Sequence, residues 1–199
     1  MQLKIKRIID IAGSLAGLFI MLCLFPFIWA AIKIDSPGSV IFRQMRVGRG
    51  GKKFMFYKFR SMFLSITMSR EDLDRLNEAT GPIFKIRDDP RVTRTGRFLR
   101  NWCLDELPQF YNVLKGEMSL VGPRPPLISE VEKYSADEKM RLSMPQGMTG
   151  LWQVMRTGDL KFESMIHWDL QYVRQWNLLL DLKILAKTFS TMLRRKGAY

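Results

Sequence analysis

Residues 11–32 carry no charged side chain, and everything else in the chain must be arranged around that run. It exceeds the ~20 apolar residues that a helix needs to cross a hydrocarbon core. A cleaved leader does not fit, because the run ends in Trp29, Lys33 and Asp35 and not in a small-residue cleavage site. Two features complicate a simple span. Pro26 sits two-thirds of the way along, where it removes a backbone donor and kinks a helix. Both flanks are basic (Lys4, Lys6 and Arg7 on one side; Lys33, Arg43, Arg46, Arg49, Lys52 and Lys53 on the other), whereas a spanning helix is expected to show charge asymmetry. One reading has the helix enter a membrane, break at Phe25-Pro26 and return to the same face. The other is a tilted, kinked transmembrane helix, and these residues leave both open.

The net charge of +13 over 199 residues implies an anionic partner: nucleic acid, an anionic membrane or a phosphorylated substrate. The basic residues cluster beside the apolar run, which is juxtamembrane placement. No nucleic-acid-binding motif is present, so no nucleic-acid partner is expected. Cys23 and Cys103 lie far apart without metal-ligand spacing, which points to a reducing compartment and no disulfide framework. With His167 the sole histidine, a zinc site is not expected.

After the apolar run, residues 39–44 and 53–62 are rich in β-branched and aromatic side chains around Gly48-Arg-Gly-Gly51, the pattern of a hairpin with a glycine turn and a basic face. Ser69 stands three residues before Asp72 as a helix start. Residues 82–95 read as a charged surface loop, and a short helix is expected around 96–102. Val121-Gly-Pro-Arg-Pro-Pro126 fits neither helix nor central strand and predicts a rigid turn that fixes Arg124. Ser135 and Glu138 form a capping box opening a helix to about Leu142. Gly147 and Gly150 permit close backbone approach within residues 145–157. Two helices close the chain; the second, over 178–196, spaces Leu178, Leu182, Leu185, Phe189 and Met192 for either core packing or an interfacial amphipathic helix.

Asp105-Glu106 precede Pro108 and an apolar-periodic stretch that stops at Gly116, which predicts a short helix with the acidic pair at its N-terminus. The dipole there should keep a carboxylate ionised, ready to act as nucleophile or metal ligand. Acidic residues in a first turn are more often plain capping.

Several strings together resemble the monotopic polyprenyl-phosphate phosphoglycosyl transferases, or bacterial sugar transferases. They are Tyr57-Lys-Phe-Arg-Ser-Met62, Asp89-Pro-Arg-Val92, Leu104-Asp-Glu-Leu-Pro-Gln109, Asn112-Val-Leu-Lys-Gly116, Met118-Ser-Leu-Val-Gly-Pro-Arg-Pro125 and Gly147-Met-Thr-Gly-Leu-Trp-Gln-Val154, with Asp181-Leu-Lys-Ile184 and Gly197-Ala-Tyr199. The match runs from about Lys6 to the last residue and is most similar to the catalytic portion of undecaprenyl-phosphate hexose-1-phosphate transferases. The resemblance implies transfer of a sugar-1-phosphate from a UDP-sugar to polyprenyl phosphate, releasing UMP, at the cytoplasmic face of a bacterial inner membrane. It implies Asp105 as nucleophile, Asp105 and Glu106 as holders of Mg²⁺, and a covalent aspartyl phosphosugar. A carboxylate attacking an anionic diphosphate needs cations to offset repulsion, and Lys58 and Arg124 are the candidates for the phosphates. Two departures stand out: Phe25-Pro26 replaces the Ser-Pro usual at the helix break, and Met155-Arg156-Thr157-Gly158 replaces a Gly-Arg pair, so no role passes to Arg156.

The expected fold is α+β and mainly helical. The resemblance implies that residues 1–35 form a re-entrant helix-break-helix anchor and that residues 36–199 form a cytoplasmic-face catalytic domain with a small β-hairpin, short helices and a C-terminal interfacial helix. Expected partners are a UDP-sugar, polyprenyl phosphate and membrane lipids; a homo-oligomer is compatible with the chain. Two other function classes compete: a basic membrane adaptor without catalysis, and a Mg²⁺-dependent nucleotide-sugar diphosphatase.

Overall fold

A single helix, α1 (Gln2–Asp35), carries the whole apolar run. Its 34 residues rise about 50 Å, and it is long and apolar enough to cross a membrane. The structure, a computed structural model, describes residues 1–64, 68–86, 88–155 and 161–193, the side chains of Arg70 and Leu193 excepted. Pro26 lies inside α1, which continues as helix on both sides of it, so the expected break at Phe25-Pro26 is not seen as an interruption. Neighbours fill the space: Phe25 packs on Phe59 with ring centroids 6.0 Å apart. One face of α1, including Lys6, Asp10, Ser14, Gly17, Ile28 and Ile32, is buried against the rest of the protein. Ile8, Leu15, Phe19, Leu22 and Phe27 are exposed on the remainder, the surface a lipid phase would cover.

The rest of the described chain is mainly helical with two small sheets. β1 (Ile41–Val47) and β2 (Lys53–Phe59) form the expected antiparallel hairpin, closed by a 3₁₀ turn at Arg49–Gly51. Gly50 and Gly51 have positive φ, the conformation that favours glycine there. α2 (Arg70–Arg75) starts as expected, with Ser69 Oγ accepting from the Asp72 amide. α3 (Arg94–Asn101), α4 (Gln109–Lys115) and β3 (Ser119–Val121) follow. After α5 (Ile128–Val131), the Ser135–Glu138 capping box forms reciprocally but opens a 3₁₀ helix, Glu138–Ser143. β4 (Gly147–Thr149) pairs parallel with β3, a sheet absent from the sequence reading. α6 (Leu151–Met155), α7 (Phe162–Gln175) and α8 (Leu178–Leu193) complete the described residues. Arg156 and residues 194–199 lie outside them.

Four apolar clusters hold these elements. One joins Ile28 and Ile32 of α1 to Val40, Phe59 and Leu99, with Leu104 and Leu107 packed against it. Another joins Val121, Leu151, Tyr172 and Ile184. α8 turns Ile184 inward and leaves Leu179, Leu182, Phe189 and Met192 exposed. His167 is exposed and edges onto Trp168, as a surface residue.

Candidate active site

The acidic pair occupies its own turn. Asp105 and Glu106 belong to a 3₁₀ helix, Leu104–Glu106, one turn ahead of α4 and not in its first turn as the sequence suggested. Cys103 makes the corner. Its φ of 53° is left-handed, so the chain reverses sharply after α3. Leu104 and Leu107 then pack into the apolar cluster under α1, which leaves the two carboxylates to face the hairpin. Asn112 fixes that approach: its Nδ2 donates to the Met55 carbonyl (2.7 Å) and its Oδ1 accepts from the Tyr57 amide (3.3 Å). α4 is thereby bolted to β2 on either side of Phe56, just ahead of Lys58.

Lys58 Nζ lies 2.6 Å from Glu106 Oε1 and 3.5 Å from Asp105 Oδ2, so three of the expected site residues meet in one cluster. Phe56, on the same face of β2, is flanked by Lys58 Nζ at 5.7 Å and the Arg46 guanidinium at 5.4 Å. Burial pushes the Asp105 carboxyl above the usual carboxylate range; Lys58 and Arg100 pull it down, and Glu106 pushes it up. The expectation that a helix dipole keeps this group ionised therefore misses its principal influences, burial and Lys58. Glu106 behaves in the opposite sense. Burial pushes it up, but Lys58's charge and hydrogen bond, together with Arg124, hold it below its usual range. Two neighbouring carboxyls pushed apart in this way are suited to different roles.

Arg124 sits where the sequence reading placed it, in a rigid turn. The Val121 carbonyl accepts from Lys6 and Tyr172, Pro123's from the Gly147 amide, Arg124's from Arg141, Pro125's from Arg46 and Pro126's from the Val47 amide. Gly122, Gly147 and Gly150 let the backbones meet so closely that a Cβ on any of them would strike main-chain atoms. The Arg124 side chain is exposed, close enough to Glu106 to lower it, and its guanidinium has no hydrogen-bond partner among the described residues. A held backbone with an unengaged guanidinium is a preformed fork for phosphate oxygens.

Sequence reasoning missed the supporting groups. Arg141 and Asp169 form a fully buried ion pair, with Tyr134's hydroxyl accepting from Arg141. Arg46, 8 % exposed, has its pKa lowered to about 10 by burial. Arg100 donates to Ser61 Oγ (2.9 Å) while facing Asp105. Gln109 is buried beside Glu106, where its side chain helps to hold the Glu106 carboxyl down. The flanking cations also need correcting. Lys6 is buried on Asp181 and Arg7 bonds the Val113 and Leu114 carbonyls, so neither lies free at a lipid surface; Lys4 and Lys33 remain exposed. Among the described residues there is no cluster of three or more His, Cys, Asp or Glu able to hold a metal. The acidic pair offers hard oxygen donors, which fits Mg²⁺, an ion commonly bound by one or two carboxylates with substrate phosphates and water.

The sequence matches the family model described as bacterial sugar transferase over residues 1–195. It is 46% identical over 194 residues to the galactosyl transferase CpsE of Streptococcus agalactiae, covering 97% of this chain and 43% of that protein. It is 45% identical over 203 residues to the undecaprenyl-phosphate galactose phosphotransferase of Salmonella typhimurium, covering 98% and 42%. With the exopolysaccharide production protein ExoY of Rhizobium meliloti it shares 37% over 198 residues, covering 98% and 88%. The chain thus spans less than half the length of the first two relatives.

Proposed function

The chain belongs to the bacterial sugar transferase family, and from that premise we propose that it moves a sugar-1-phosphate from a UDP-sugar to polyprenyl phosphate, releasing UMP, as the first membrane step of surface-glycan assembly. The observation that carries this reading is the Lys58–Asp105–Glu106 cluster set beside the exposed Arg124. An Asp105 carboxylate oxygen attacks the sugar-bearing phosphorus; a P–O bond of the diphosphate breaks and UMP leaves. A phosphate oxygen of the polyprenyl acceptor then attacks the same phosphorus and breaks the acyl-phosphate bond, which restores the carboxylate. Lys58 favours the ionised form of Asp105 against its burial, and Arg124 stabilises the charge that develops on the phosphoryl oxygens. Asp105 and Glu106 would hold Mg²⁺, which when bound neutralises diphosphate charge. The burial of Asp105 excludes water that would hydrolyse the intermediate.

Packing supports a particular membrane arrangement. Lys6 and Asp10 near one end of α1, and Ile32 and Asp35 near the other, contact the same body of protein. A helix crossing the bilayer would carry one end to the far side, out of reach. We therefore read residues 1–35 as a re-entrant, monotopic anchor with its weak point at Phe25-Pro26, and residues 36–199 as the catalytic portion at the cytoplasmic face of a bacterial inner membrane. The exposed apolar side of α8 lies in the interface beside it.

The test is UMP release from UDP-galactose and UDP-glucose in detergent with Mg²⁺, with and without undecaprenyl phosphate. Acceptor-dependent release that Asp105→Ala abolishes is the expected result. Release of free sugar phosphate without acceptor would make the protein a diphosphatase. No release from any nucleotide sugar, with lipid binding unaffected by Asp105→Ala, would make it an adaptor.

A further inference from the structure

The first turns of α1 hold both halves of the site. Arg7 Nη1 and Nη2 each lie 2.6 Å from a carbonyl of Val113 or Leu114, at the C-terminal end of the helix that follows the acidic pair. Lys6 Nζ donates to the Val121 carbonyl at 2.9 Å, on the last residue before the Arg124 turn, and to Asp181 at 2.7 Å. Asp10, one turn on, accepts from Ser119 Oγ and the Leu120 amide, both at 2.9 Å. Tyr172's hydroxyl meets the same Val121 carbonyl and Asp181, closing the network. Lys6 is 4% exposed. A lysine that served only to face anionic lipid would sit in solvent, as Lys4 does. Nor is a buried ion pair needed for attachment, since apolar contacts of similar volume fasten a helix as well or better. What directional bonds from one helix to two different chain segments add is a fixed relative position of those segments.

We propose that Lys6 and Arg7 are positioning residues for transfer: the start of the membrane helix sets the spacing between the Asp105-Glu106 turn and the Arg124 turn. The inference rests on the transferase reading for its catalytic consequence, though not for its geometry. It makes insertion of α1 a condition of an assembled site, because displacing the helix releases α4 and β3 together.

The experiment uses the full chain in lipid nanodiscs and the variant Lys6→Met/Asp181→Asn, which removes both partners of the buried ion pair together. Hydrogen exchange is followed in peptides covering 119–124, alongside kcat and donor KM. The expected result is roughly tenfold faster exchange there, a kcat reduced ~10- to 100-fold and a KM within about threefold of the parent, because small misplacements of aligned groups act on the reacting state. Unchanged exchange, or faster exchange with the parental kcat, would overturn the proposal. If this variant fails to fold, Arg7→Met gives the same test with peptides covering 104–116. Should the parent transfer sugar phosphate from no donor, the functional reading falls, and the exchange data still decide whether α1 holds the two turns in place.

Discussion

Replacing Lys58 with Met removes the cation closest to both carboxylates while keeping the length and apolar stem of the side chain. At 3.5 Å from Asp105 Oδ2, the unscreened attraction at an effective dielectric of ~20 is about 5 kcal/mol. The Lys58 side chain is 25% exposed, and solvent screening reduces this to roughly 2 kcal/mol. That corresponds to about a 30-fold smaller ionised fraction of Asp105 under conditions where it titrates. The sign follows directly. Burial already raises the Asp105 carboxyl; losing Lys58 raises it further, so carboxylate is lost from the acidic side first and regained as pH rises. The assay is the pH dependence of single-turnover UMP release at fixed Mg²⁺, comparing the parent and Lys58→Met. The acidic limb should move upward and activity should recover substantially at alkaline pH. A uniform loss at every pH, with the limb unmoved, would refute the reasoning and leave Lys58 as a phosphate contact alone.

Arg124→Ala should lower kcat by ~100-fold or more while leaving thermal stability within about 0.5 kcal/mol, because the turn is held through its backbone; a large loss of stability measured by urea unfolding would contradict this. Cys103, left-handed at φ 53°, should tolerate Gly with stability within about 1 kcal/mol, whereas Val should cost ~1–2 kcal/mol; equal stability of the two variants would count against a strained corner. Asp169→Leu strands the buried Arg141 charge and should cost ~3–5 kcal/mol, part of it recovered in Arg141→Met/Asp169→Leu; a single variant within 1 kcal/mol of the parent would rule out the buried pair.

What the sequence made legible was local. Gly48-Arg-Gly-Gly51 marks the hairpin turn, Ser69 a cap, and Val121-Gly-Pro-Arg-Pro-Pro126 a rigid turn, because each depends on φ restrictions or on partners a few residues away. The acidic pair, Lys58 and Arg124 are all candidates from the sequence, and the structure gathers Lys58 with both carboxylates. The buried cations were not legible. Lys6 meets Val121 and Asp181 across separations of 115 and 175 residues, and nothing in its neighbourhood distinguishes it from Lys4. The same holds for Arg46 and Arg141. β3 and β4, three residues each, are too short to show a period. The ionisation of Asp105 was assigned to a helix dipole because the helix could be read, whereas burial and Lys58 depend on how distant segments pack. Pro26 was a sound reason to expect a break, and α1 continues through it while packed along its buried face.

Asp105 is the nucleophile of the proposed transfer, and trapping the phosphosugar on it is the most direct measurement. The purified chain is incubated with UDP-galactose or UDP-glucose and Mg²⁺ without acceptor, quenched in acid, digested and examined by mass spectrometry. A hexose-phosphate adduct is expected on the peptide bearing Asp105, discharged by undecaprenyl phosphate and absent in Asp105→Asn. Acceptor-dependent transfer that proceeds in Asp105→Asn, or an adduct that maps to another residue, would contradict this role.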